Sequence, residues 1–206
     1  MSMGTTEVAD PGRGRAGLVA AALILLLTMA QLVVLTYVPD LPQAEGKGFG
    51  ARLLWYPIIM MVTPAVWCLV RRPPAVVQLP WPGFALIMSP FLIDVTGNTL
   101  DFYRSIEWWD DLNHFTNWFL LCLGIGLLMR HARMAPRWAL TVTVTGAGAA
   151  LAILWELGEW YTFIRHGTEL GTAYEDTLGD ETLGSLGGLV AGLVVGSLGS
   201  LGKRRD

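Results

Sequence analysis

Charge is scarce in this chain. Only 15% of its 206 residues are Asp, Glu, Lys or Arg, against 53% hydrophobic ones, and that balance excludes an ordinary water-soluble domain. Cysteine is nearly absent. Cys68 and Cys122 both fall inside apolar runs, so neither a disulfide framework nor a cysteine-based zinc site is supported. The "EGKGFG" loop lacks the spacing and the following Ser or Thr of a phosphate-binding loop, so there is no nucleotide site and no nucleic-acid partner. Repeats, coiled-coil heptads and an independent hydrophilic domain are missing too.

What is present is a series of apolar runs. Six approach the roughly 20 residues that cross a hydrocarbon core, at about 16–38, 51–70, 83–101, 110–130, 137–161 and 183–201. The expectation is an all-α polytopic membrane protein: one domain over 16–201, a bundle of six transmembrane helices, with short tails at 1–15 and 202–206. The first run is too long for a signal peptide, and "LPQAEG" is a poor cleavage site. Arg13, Arg15, Arg71, Arg72, Arg130, Arg133, Arg137, Lys203, Arg204 and Arg205 fall at the N-terminus, the even loops and the C-terminus. Positive residues stay inside, so both termini should be cytoplasmic. The expected location is a bacterial cytoplasmic (inner) membrane, crossed several times and surrounded by lipid.

Acids run the other way. Of seventeen, only Glu7, Asp10 and Asp206 lie on the cytoplasmic side, leaving fourteen at the outer face or in the outer half of the membrane. Four motifs hold the ones that matter. In "LIDVTGNTLDFY", Asp94, Asn98 and Asp101 are spaced i, i+4, i+7, which predicts one stripe along a helix. A carboxylate at the depth of Asp94 must be protonated, paired or bound to a cation. In "WWDDLNHF", helix-capping explains one of Asp110 and Asp111, but His114 can share a face with either as a metal ligand or acid–base partner.

"ILWELGEWY" places Glu156 and Glu159 at the negative end of the fifth span, on one face, where like charges call for a proton, a cation or a basic partner such as Arg165 or His166. "YEDTLGDETLGSLGGLVAGLVVGSL" puts Asp176 and Asp180 just before the last span, where loop and cap roles compete with a site role. Gly188, Gly192 and Gly196 then recur every fourth residue, which is a helix-packing face.

The order "D…N..D…WWDD..H", "WE..EW", "Y.DT..D…G…G" over residues 85 to 200 resembles the YjdF-type family of bacterial inner-membrane proteins and, more distantly, the VanZ-like family. The resemblance implies motif positions at Asp110 or Asp111 with His114, at Glu156 with Glu159, and at Asp176 with Asp180; Glu159 stands where the VanZ-like pattern usually has Gln. The distant likeness implies a part in glycopeptide resistance at the cell envelope.

Two readings follow. In one, Asp94, Asp110, Asp111, His114, Glu156, Glu159, Asp176 and Asp180 hold one or two divalent cations, zinc, manganese or magnesium. His114, Glu156 and Asp111 then do chemistry on a lipid or lipid-linked envelope intermediate that Asn98 and Asp101 help to bind. In the other, the same acids handle protons or cations, or bind an envelope ligand, without catalysis.

Overall fold

The structure is a computed structural model that describes residues 11–198 except 39, 46, 163 and 167. The described residues are helical with no strand. In lipid no water can pair a free N–H or C=O, and a helix satisfies them within its own segment. The long helices are α1 (Pro11–Tyr37), α2 (Phe49–Arg71), α3 (Trp81–Thr99), α5 (Trp109–His131), α6 (Arg137–Thr162) and α7 (Ala173–Ser197), and α4 (Phe102–Ser105) is a single turn before α5. Five of them, all but α3 and α4, are long and apolar enough to cross a membrane.

Helix α3 carries Asp94, Asn98 and several small residues, yet eleven of its nineteen residues are buried. A central helix covered by its neighbours can tolerate polarity that a lipid-facing one cannot. It packs against α1 on one side and α5 on the other. Around it lies one apolar core built from α1, α2 and α3, with Phe84, Leu32 and Met60 fully buried. A second, smaller core joins α5, α6 and α7 through Cys122, Val144 and Ala191. Outward-facing side chains such as Leu26 and Leu69 remain exposed, as lipid contact requires.

The helix boundaries correct the sequence expectation in three places. Helix α1 begins at Pro11, so residues 11–15 belong to a helix rather than to a tail, because proline is well suited to a first helical turn. Helix α7 begins at Ala173, ten residues before the expected span, so Asp176 and Asp180 stand on the helix; Glu175 and Asp176 in its first turn meet its positive end. Helix α3 ends at Thr99 and Asp101 adopts a left-handed backbone (φ 61°), so Asp101 leaves the stripe predicted for it with Asp94 and Asn98. The expected tail at 202–206, the last residues of the sixth run and most of the N-terminal tail lie outside the described residues.

The glycine repeat in α7 is a packing face, as its spacing predicts. A methyl group built on Gly188 would stand 3.0 Å from the Cα of Gly148, so α6 and α7 cross with their backbones nearly touching. That crossing holds the acids of α6 beside those of α7.

Candidate functional site

Three helices converge on one imidazole. His114 lies one turn into α5, buried, and its Nε2 is 3.5 Å from Asp180 Oδ1 of α7 and 3.7 Å from Asp110 Oδ1 of α5. Its other nitrogen, Nδ1, is 3.8 Å from Glu156 Oε1 of α6 and has no hydrogen-bond partner. Glu156 and Asp180 are themselves buried, at 6% and 5% exposure. A histidine buried among three carboxylate oxygens, each just beyond hydrogen-bonding range, is an incomplete polar arrangement that invites a further atom.

The donors suit a cation. One ligand atom each from Asp110, His114 and Asp180 lie within 4.8 Å of one another, close to the roughly 4–4.6 Å that two ligands at about 2.0–2.3 Å from one ion can span. Imidazole with carboxylates suits zinc or manganese. Three protein ligands would leave a coordination position open, and Glu156 on the far ring nitrogen stands where a carboxylate commonly orients a ligating histidine.

A second polar network occupies the α1–α3 half. The Asp94 carboxylate accepts from Arg52 Nη1 at 2.8 Å, the Tyr56 hydroxyl at 2.7 Å, the Tyr103 hydroxyl at 3.1 Å and Asn98 Nδ2 at 3.1 Å. Asn98 in turn accepts from Lys47 Nζ at 2.8 Å. These partners meet the demand that a carboxylate at this depth be paired, and they do so without an ion. Glu159 is half-buried on α6, about one turn beyond Glu156.

The residues singled out from sequence therefore divide. Asp110, His114, Glu156 and Asp180 come together, and Asn98 joins Asp94 in the Arg52 network. Asp111 and Asp176 are exposed, the latter one turn above Asp180 on the same helix face. Asp101 pairs with Arg104 at 2.6 Å. The Arg165 guanidinium lies over the Tyr161 ring, 3.7 Å from its centre, and the side chain of His166 lies outside the described residues.

Sequence reasoning did not single out Lys47, Arg52, Tyr56 and Tyr103. The available signal was Arg52 itself, a lone cation in the first turn of an apolar run and against the general bias of the basic residues. Asn113 and Asn117, linked to each other at 3.3 Å beside His114, were also passed over.

No curated protein and no solved structure matches the chain. A family model described as "Predicted membrane protein (DUF2238)" matches residues 19–199, and so takes in the first two helices, which the motif resemblance over 85 to 200 had left out. Since that match spans both halves of the bundle and every residue of the two polar networks, the chain belongs to this family of predicted membrane proteins.

Proposed function

We propose that the protein holds a divalent cation at the outer leaflet of a bacterial cytoplasmic membrane and uses it on a lipid or lipid-linked envelope intermediate. The observation that carries this is the buried His114 ring, set among Asp110, Asp180 and Glu156 with one nitrogen unpartnered. Asp110, Asp180 and Nε2 of His114 would hold the ion, and Glu156, 3.8 Å from Nδ1, would close on the ring N–H as its hydrogen-bond acceptor and keep the ring in place. A cation bound there supplies an activated water or a clamp on phosphate. The distant VanZ-like resemblance agrees with an envelope role, and the exposed Asp111 and Asp176 stand at the mouth of the same site. Elemental analysis of protein purified without chelator should find about one zinc or manganese per chain in the wild type and little in His114→Ala. Equal, low metal in both would move the reading to proton or cationic-ligand binding.

The orientation belongs to the same proposal. Helix α3, at about 1.5 Å per residue, is about 28 Å long and serves as a sixth span, which leaves both termini cytoplasmic and the site outside. Reporter fusions at residues 75 and 170 should then report opposite sides, cytoplasmic at 75. Both on one side would end the six-span reading.

A further inference from the structure

The outer end of the α1–α3 half carries the cations Lys47, Arg52 and Arg104, and its acids are Asp94 and Asp101 together with Asp40 and Glu45, exposed in the loop before α2. Arg52 is paired with Asp94 and Arg104 with Asp101, each carboxylate within 2.8 Å of its guanidinium. Lys47 is left as the cation of the three that no carboxylate pairs. Its Nζ donates to the neutral amide oxygen of Asn98 and lies 5.3 Å from the centre of the Tyr103 ring, and among the described residues no carboxylate lies within 4 Å of it. The ammonium is thus half-buried against an amide and an aromatic face, without a paired carboxylate. Burial, followed by the charges of Arg52 and Arg104, pulls its pKa below the ordinary lysine range. All of these pressures would be relieved by one anion.

The level of Lys47 indicates where that anion comes from. It lies two residues before α2, while the exposed rings of Tyr37, Trp55, Trp108, Trp160 and Tyr161 cluster at the same ends of their helices. Such rings mark the depth of lipid headgroups. An ammonium is a good point-charge partner for phosphate, and Lys47 stands next to Gly48, whose left-handed backbone (φ 61°) turns the loop into α2.

We infer that Lys47 is the contact residue of an anion seat at the outer face, backed by the Arg52–Asp94 and Arg104–Asp101 pairs and by Asn98, which takes the phosphate of a lipid headgroup. This goes beyond the cation site proposed above and stands without it. It adds that a ligand engaging both would carry a phosphate.

The test uses the full chain in detergent with EDTA present, so its outcome does not depend on the cation site. Dioleoyl phosphatidic acid should raise the melting temperature followed by tryptophan fluorescence, and dioleoyl phosphatidylcholine should do so much less. Lys47→Gln should raise the half-saturating concentration of phosphatidic acid about tenfold, the loss expected for one charge-assisted contact, while Lys47→Arg stays near wild type. Comparing variants at one site subtracts lipid bound by the arginines at the opposite end. If Lys47→Gln lowers the starting melting temperature, the lipid-induced rise above that starting point is still read. If inorganic phosphate alone produces the same Lys47-dependent rise, the seat holds and its anion is soluble. A rise identical in wild type and Lys47→Gln, or no rise at all, overturns the inference.

Discussion

Arg52→Met should destabilise the protein by about 3–5 kcal/mol, the cost expected when one partner of a buried ion pair is removed and the other is left charged. Both side chains of the pair are about 15% exposed, and the Asp94 carboxylate at its centre also orders Tyr56, Tyr103 and Asn98. Without the guanidinium, Asp94 must either keep its charge unpaired at membrane depth or take a proton and rearrange the two tyrosine hydroxyls. The double variant Arg52→Met with Asp94→Leu should recover most of the loss, because removing both partners leaves no buried charge behind. Thermal unfolding in detergent measures both. A loss under about 1 kcal/mol for the single variant, or a double variant no better than the single, would show that the pair is not what organises this half.

Zinc or manganese added to metal-stripped protein should raise its melting temperature, with a stabilisation of about 2.7 kcal/mol at a hundredfold excess over the dissociation constant. His114→Ala should abolish the rise, since it removes the ligand that the carboxylates of α5 and α7 share. Asp180→Asn should weaken it strongly. Glu156→Gln separates two roles: a positioning carboxylate on Nδ1 costs about 10–100-fold in affinity but keeps binding, whereas a direct ligand would be lost with the ion. A melting curve unchanged across millimolar metal would remove the cation from the site and leave the acids to protons or a cationic ligand. A substitution at Lys47 should leave this metal response intact, because Lys47 bonds Asn98 and none of the four residues around the imidazole.

Composition and periodicity were enough for the solvent and the class of fold. Apolar runs near 20 residues specify helices in lipid through local hydrogen bonding alone, and the five most apolar of them are recovered as helices long enough to cross. The positions of Asp94 and Glu156 along their helices were legible too, because position along a helix is a matter of counting residues. So was the glycine face of α7, whose four-residue spacing repeats along one side of the helix.

Which acids meet which partners could not be counted in this way. Asp94 and Glu156 look alike in sequence, each a carboxylate inside an apolar run, and Asp180 reads there as an acid just before one, yet Asp94 is saturated by Arg52, Tyr56, Tyr103 and Asn98 while Glu156 and Asp180 flank an imidazole with one unpartnered nitrogen. Their difference lies in which helices are neighbours and how they are rotated. The close approach of Gly148 to Gly188 sets α6 against α7, and the packing of α3 between α1 and α5 carries Asp94 into the other half. The sequence by itself determined a membrane bundle with its acids gathered toward one end. Only the tertiary structure divided them into an ion-paired network around Asp94 and a cluster around His114, because pairing depends on contacts between helices and periodicity reports only the face within one.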